Sequence, residues 1–279
     1  MAEQSELLRG ITVVSLSINT PGPVAASRLA RLGASVTKIE PPTGDPLKLF
    51  AREWYESLCK RQTVITLDLK DRGGRAELDR LLGKADLLLA SYRPSALRRL
   101  GLDWESLHAH FPKLCFAGII GYPSPNEEKS GHDLTYLAEA GLVAPPELPS
   151  TLFVDLAGAE RCVTESLALL LHASLTGAAG CASVSLYDCA EELSAPVEAG
   201  LTNRGGVLGG GSPFYALYEA SEGWVAVAAL EPHFAQRLLA ELNLSQADHA
   251  TFAGAFSQRS AAEWEKWAAE RDLPVVAIR

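Results

Sequence analysis

The chain has 279 residues, of which 47% are hydrophobic and 21% are charged, and its formal net charge is −9. This composition is that of a globular protein with a sizeable core, and the length favours one large and one smaller domain. The negative charge argues against nucleic acid or an anionic membrane as the main partner, because both attract proteins rich in lysine and arginine.

The first half of the chain alternates short β-branched runs with helical patterns, which is typical of βαβ units and predicts a mainly parallel sheet. Apolar residues have helical spacing at 25–32 and 75–82, and again at Leu97 with 105–110. Because open sheets of this kind bind ligands at the carboxyl ends of their strands, the site should lie there. The expected strands cover residues 11–17, 35–40, 63–69, 86–92 and 114–122.

Two helix starts after these strands carry titratable groups. The polar segment 123–130 predicts a loop that leads to His132, at the start of a helix over 134–140. A proline-rich turn then leads to Asp155 and a long apolar helix over about 156–175. Free backbone N–H groups at helix starts favour anions, so we expect those near Asp155 to hold a developing oxyanion.

The pattern changes after Leu193. A glycine-rich stretch at 203–211 is interpreted as a flexible cover or a linker, and 214–230 as a β-hairpin. We place a domain boundary near residue 200, which gives a large domain over 1–200 and a small domain over 201–279. The predicted fold class is α/β: a Rossmann-like open parallel sheet with a smaller α+β second domain. Helices at 234–242 and 261–269 and a strand at 274–278 complete the prediction.

The five cysteines are odd in number and widely spaced, which suits free thiols in a reducing compartment. No CxxC or histidine-rich spacing is present, so no metal site is predicted. The first six residues lack the features of a signal peptide, and apolar runs such as 167–171 are too short to span a bilayer. We therefore expect a cytoplasmic protein without a membrane partner. The cysteines are Cys59, Cys115, Cys162, Cys181 and Cys189.

Three short stretches offer one imidazole and two carboxylates: GHDLTY at 131–136 with His132, FVDLAG at 153–158 with Asp155, and ALEPHF at 229–234 with Glu231. A histidine and an aspartate on opposite faces of a carbonyl compound can invert its α-carbon, because one abstracts the α-proton while the other returns one. Taken singly, each group has a simpler interpretation, the histidine as a loop residue and the aspartate as a helix N-cap. Spacing alone leaves both open.

Several ordered motifs carry a resemblance to a known family. Together they resemble the class III coenzyme A transferase and α-methylacyl-CoA racemase family over almost the whole chain. The motifs are GPVA at 22–25, LGASVTKIEPP at 32–42, GDP at 44–46, KR at 60–61, LDLK at 67–70, YRP at 92–94 and RLGL at 99–102.

The resemblance implies a choice between reactions. Asp155 matches an aspartate of both branches: in transferases it resembles a nucleophile that forms an acyl-enzyme anhydride, and in racemases an acid/base group. The phrase around His132 is similar to the racemase motif, and GGSPFY at 210–215 followed by Glu231 resembles the same branch, where the glutamate assists the histidine. A carboxylate beside a histidine favours the imidazolium form and fixes its tautomer.

The favoured interpretation is a racemase that interconverts the (R) and (S) forms of a 2-methylacyl-CoA through a thioester enolate. One alternative is a coenzyme A transferase with Asp155 as nucleophile, and another is a family member that binds acyl-CoA without turnover. The resemblance implies no prosthetic group, because coenzyme A enters as part of the substrate. It also implies a homodimer with interlocked subunits.

By the same resemblance, Lys38, Arg61 and Arg93 are candidate anchors for coenzyme A on loops after strands, and Tyr136 is a candidate wall of the acyl channel. Taken singly, the basic residues would be solvated surface charge, and the tyrosine a core aromatic. The chain departs from the family pattern at three places. These are Cys59 and Ser95, where glycine is usual, the arginine-free turn at 175–180, and an end at Arg279 that should alter the interlocked dimer.

Overall fold

A computed structural model describes residues 6–279, and its first compact unit ends at Leu193. This unit contains a six-stranded sheet in the order β3-β2-β1-β4-β5-β6, in which all neighbouring strands are parallel. The strand order reverses between β1 and β4, and such a reversal opens a crevice at the carboxyl ends of the strands. The strands are β1 Thr12–Leu16, β2 Ser35–Glu40, β3 Gln62–Thr66, β4 Leu87–Ala90, β5 Cys115–Ile120 and β6 Cys181–Ser185.

Helices cover both faces of this sheet. Side chains of successive strand residues point to opposite faces, so Val13 packs into one apolar cluster and Val14 into another. The first cluster includes residues of α1 and α8, and the second includes residues of α4 and α6. The helices are α1 Pro21–Arg31, α2 Leu47–Phe50, α3 Arg52–Cys59, α4 Arg72–Leu82, α5 Pro94–Arg99, α6 Trp104–His110, α7 Asp133–Glu139, α8 Phe153–Thr176 and α9 Leu186–Glu198.

The second compact unit covers Ser194–Arg279 and has its own apolar core. An antiparallel sheet in the order β7-β8-β9 packs its buried residues against aromatic side chains such as Phe252, Phe256 and Trp264. The glycine-rich stretch forms a short helical turn at Val207–Gly211. The remaining elements are β7 Tyr215–Glu219, β8 Trp224–Ala228, α10 Pro232–Glu241, α11 His249–Phe256, α12 Ala261–Ala269 and β9 Val275–Ala277.

The predicted fold class is confirmed: an open parallel sheet with a smaller unit that combines helices and strands. Helices α2, α3, α9 and α11 and strand β6 were not predicted from the sequence. All five cysteines are free, and Cys115, Cys162 and Cys189 are buried. Within the described residues, no helix is long and apolar enough to cross a bilayer. The boundary near residue 200 stays a prediction.

Candidate active site

A cavity of about 330 Å³ lies where β1, β4 and β5 end, beside the reversal in strand order. This volume is within the range of small-molecule sites, and the place is the one expected for an open parallel sheet. The cavity brings together His132, Tyr136 and Asp155, with Arg93 and Lys129 also in its wall. Residues that are far apart in the sequence therefore share one space.

Asp155 lies in the first turn of α8, and Asp133, which belongs to α7, contacts the start of α8. The buried carboxylate of Asp133 accepts hydrogen bonds from the N–H groups of Val154 and Asp155, with its Oδ1 at 2.7 and 2.9 Å. Asp133 thus caps α8 from the neighbouring helix α7. The expectation that these N–H groups hold an oxyanion is wrong, because both already donate to Asp133.

The pKa of Asp155 is raised to about 7. Burial is the main cause, since it disfavours the charged carboxylate, and the nearby Asp133 carboxylate adds repulsion. A hydrogen bond with the Thr20 side chain acts in the opposite direction. Asp155 can therefore both release and accept a proton near neutral pH, which is the property of a general acid and base.

His132 is the N-cap residue of α7, and its side chain is exposed to the cavity. Its backbone N–H donates to the Thr135 hydroxyl at 2.9 Å, and that hydroxyl donates to the His132 carbonyl at 2.8 Å. The loop before it is tied to α5, because the Arg93 guanidinium donates to Ser130 Oγ at 2.9 Å. These contacts fix the backbone from which the imidazole enters the cavity.

Glu231 lies in the second unit, where it is exposed and forms the N-cap of α10. Its backbone carbonyl accepts a hydrogen bond from the N–H of Ala235 at 2.9 Å. The pairing of Glu231 with His132 stays a prediction.

Lys38 does not lie on a loop, which corrects the sequence-based expectation. It belongs to β2, its side chain is fully buried, and its Nζ donates to Asp45 Oδ2 at 2.7 Å and to the Ser17 carbonyl at 2.8 Å. Glu40 lies 3.3 Å from the same nitrogen. With its donors committed to these oxygens, the ammonium group does not fit the proposed role of phosphate anchor.

Arg61 precedes β3 and lines a different cavity, at the amino ends of β2 and β3. The expectation that it follows a strand is wrong, and the structure does not bring it to the cavity of Asp155. Arg93 does follow β4 and lies in that cavity wall, where its side chain is exposed. Tyr136 also lines the cavity, although its side chain is only 2% exposed.

A second cavity, of about 690 Å³, opens at the carboxyl ends of the strands on the other face of the sheet. Its walls are mainly apolar, with Leu16, Ile39 and Leu67 among them, and Lys70 and Arg99 add two cations. Sequence reasoning assigned no role to Lys70 or Arg99. The signal was present, because LDLK at 67–70 and RLGL at 99–102 are two of the motifs that carry the resemblance.

Comparison with known proteins supports the resemblance. The model of CoA-transferase family III matches residues 8–279. The chain is 29% identical to the human alpha-methylacyl-CoA racemase over 288 residues, covering 92% of this chain and 74% of that protein. It is 34% identical to the cinnamoyl-CoA:phenyllactate CoA-transferase of Clostridium sporogenes over 156 residues, covering 51% and 38%. Relatives of both reaction types thus match this chain.

A solved structure shows the same fold. The crystal structure of a hypothetical protein from Mycobacterium tuberculosis superposes with a TM-score of 0.85 and covers 99% of this chain and 86% of that one. The sequence identity is 24%, so this likeness concerns the fold alone.

Proposed function

The chain belongs to CoA-transferase family III, and from this premise we propose that it is an acyl-CoA racemase. It interconverts the (R) and (S) forms of a 2-methylacyl-CoA by moving the α-proton between His132 and Asp155. The observation that carries the proposal is that these two residues line one cavity, in which the pKa of Asp155 is raised to about 7.

The proton balance of a racemase explains why this pKa matters. In each direction one base takes the α-proton while the conjugate acid of the other supplies a proton to the opposite face. The acid and the base exchange roles when the reaction runs in the other direction, so each group must work both as acid and as base. An ordinary aspartate is almost fully ionised at neutral pH, whereas the raised pKa of Asp155 lets both its protonated and its ionised form exist there. Histidine side chains as a class also titrate near neutral pH.

The second cavity suits the nucleotide part of coenzyme A. Its apolar walls can hold an adenine ring, and Lys70 and Arg99 can pair with phosphates. The two cavities share the segment after β4 as a wall, since Ser91 and Arg93 line the first and Tyr92 lines the second. A substrate that crosses this segment would place its thioester beside Asp155. Arg93, in the wall of the first cavity, then takes the place of Lys38 and Arg61 as the candidate anchor on that side.

A coenzyme A transferase is the second candidate, and the match to the Clostridium sporogenes enzyme favours it. In that reaction the Asp155 carboxylate attacks the thioester carbonyl and releases the coenzyme A thiolate. A nucleophile has to be ionised, and the raised pKa of Asp155 lowers its ionised fraction at neutral pH. His132 in the same cavity also has no part in this step. Both observations favour the racemase.

The test is proton exchange followed by NMR in deuterium oxide, with each pure epimer of a 2-methylacyl-CoA in turn. The wild type should place deuterium at the α-carbon and epimerise both substrates. His132→Ala and Asp155→Ala should lose epimerisation, and each should retain slow exchange only with the epimer whose α-proton faces the remaining base. His172→Ala, on an exposed part of α8, and Asp188→Asn, at the third position of α9, are the matched controls.

The same samples separate the alternatives. A transferase would show no α-deuterium, would move labelled coenzyme A to a second carboxylic acid, and would give a hydroxylamine-sensitive acyl group on Asp155. Binding of the acyl-CoA with neither reaction, unchanged in Asp155→Ala, would indicate a member without turnover. Either result would overturn the racemase.

A further inference from the structure

Tyr136 lines the cavity that holds Asp155. The side chain is 2% exposed, and its ring packs edge-on against Tyr122 at 5.2 Å between ring centroids. Two glycines of the cavity wall make room for it: a Cβ on Gly121 would lie 2.7 Å from the Tyr136 oxygen, and one on Gly131 would lie 2.4 Å from the ring. Any other residue at 131 would therefore displace the ring.

Within residues 6–279, this hydroxyl makes no hydrogen bond, and its oxygen is not among the fully enclosed unpaired side-chain atoms, so it is not sealed inside the core. Other buried tyrosines of the chain make a hydrogen bond. The Tyr122 hydroxyl donates to Glu139 at 2.8 Å, Tyr55 donates to Glu40 at 2.6 Å, and Tyr218 donates to the Pro213 carbonyl at 2.7 Å. The donor of Tyr136 is therefore available to a molecule in the cavity.

The proposed reaction needs such a donor. When a base removes the α-proton, the electron pair of the C–H bond moves into a new C=C bond, and negative charge develops on the thioester oxygen. Most of the rate gain in such steps comes from donors already aimed at that oxygen. The N–H groups of Val154 and Asp155 cannot serve, because both donate to Asp133. Of the described side chains that line the cavity, Tyr136 is the one that is both polar and buried.

We infer that Tyr136 is a catalytic residue whose hydroxyl donates a hydrogen bond to the thioester oxygen as the enolate forms. The inference rests on the proposed function, because it assumes that the thioester lies beside Asp155. Burial raises the pKa of Tyr136, so the hydroxyl keeps its proton at neutral pH. The hydroxyl donates without losing its proton, and the reacting proton moves only between the substrate and the two bases.

The first test is turnover of Tyr136→Phe, which removes the donor and keeps the ring. Epimerisation should slow by about 10²-fold or more in kcat with little change in KM, as for loss of one oxyanion donor. Tyr122→Phe is the matched control, because it removes a neighbouring hydroxyl that already has Glu139 as partner. A kcat for Tyr136→Phe within threefold of the wild type would overturn the inference.

The second test uses the close contact at Gly121. Gly121→Ala should slow the wild type, because its Cβ would push the Tyr136 oxygen, whereas the ring carbon behind that oxygen lies at 3.7 Å, an ordinary contact. The same substitution in Tyr136→Phe should then have little further effect. If the reductions in kcat of the two single variants multiply in the double variant, then Gly121→Ala does not act through the Tyr136 hydroxyl.

A third measurement needs no turnover. Infrared spectra of a bound 2,2-dimethylacyl-CoA with a ¹³C-labelled thioester carbonyl report the hydrogen bond directly, and this compound has no α-proton to exchange. The carbonyl band should lie at lower frequency in the wild type and in Tyr122→Phe than in Tyr136→Phe. Equal bands in all three would overturn the inference even if epimerisation is found. A shifted band without epimerisation would uphold the hydrogen bond and reject the racemase.

Discussion

Two polar clusters of the first unit differ in how their charges are compensated. In the Lys38 cluster, formed by Lys38, Glu40, Asp45 and Tyr55, a buried ammonium lies 2.7 Å from one carboxylate and 3.3 Å from another. The Tyr55 hydroxyl donates to Glu40 at 2.6 Å. Each charged group in this cluster has a partner of opposite charge, and the cluster holds the Ser17 carbonyl at the end of β1.

The Asp155 cluster, formed by Asp133, Tyr136 and Asp155, shows the opposite. Among the described residues, neither carboxylate forms a salt bridge, and the tyrosine hydroxyl has no partner. The pKa of Asp155 rises to about 7 as a result of burial and repulsion. A cluster whose charges are paired stabilises the fold. A cluster with unpaired carboxylates instead contains a group that gains and loses a proton near neutral pH, and a reaction can use that group.

The largest expected effect comes from removing the cation of the Lys38 cluster. Lys38→Met leaves Asp45 and Glu40 buried without a counter-charge, and the free energy of unfolding should fall by about 3–5 kcal/mol. Urea unfolding followed by circular dichroism measures it, with the exposed Lys84→Met as control. A decrease of less than about 1 kcal/mol in the free energy of unfolding would show that the Lys38 cluster does not stabilise the fold.

The opposite sign is expected for Asp155→Asn. The folded pKa of Asp155 lies above that of the unfolded chain, so the proton stabilises the folded state below about pH 4, and this stability is lost as pH rises through about 7. The amide of Asp155→Asn does not ionise, so this variant does not lose stability as pH rises through about 7. Its free energy of unfolding should exceed that of the wild type by about 2–4 kcal/mol at pH 8 and by little at pH 4. A difference that does not change with pH would contradict the raised pKa.

The smallest effect concerns the repulsion between the two carboxylates. Asp133→Asn keeps an oxygen that can accept from the N–H groups of Val154 and Asp155, and it removes the negative charge. The pKa of Asp155 should fall, so the limb of the rate profile that reports Asp155 should move to lower pH by up to about one unit. Asp188→Asn should leave the profile in place. A limb that moves upward would show that Asp133 does not raise the pKa.

Sequence motifs and hydrophobic periodicity predicted much of the large sheet and three residues of the site. Strands β1 to β5 of the large sheet were expected within a few residues of their observed limits, because β-branched runs separated by helical patterns leave few alternatives, whereas β6 was not expected. His132, Tyr136 and Asp155 were chosen as site residues, and the structure places all three in one cavity. Helix α11 was missed because its apolar residues surround it rather than following one face.

The incorrect predictions concern where side chains lie and which groups they bond to, because neither can be read from the sequence. Lys38 was expected on a loop as an anchor for coenzyme A, but it lies in β2, and Asp45 from the next loop pairs with it inside the core. The N–H groups at the start of α8 were expected to be free, but Asp133 from α7 reaches them. Arg61 could have been placed correctly, because it precedes a predicted strand and so belongs to the amino edge of the sheet.

The most direct measurement of the contrast between the two clusters is the pKa of Asp155 itself. Carboxyl ¹³C resonances of aspartate-labelled protein can be followed by NMR from pH 4 to 9, with Asp155→Asn to assign the signal. We expect a midpoint near 7, because Asp155 is a buried carboxylate beside a second one. A midpoint near 4 would mean that Asp155 is an ordinary ionised carboxylate, and it would contradict its role as both acid and base.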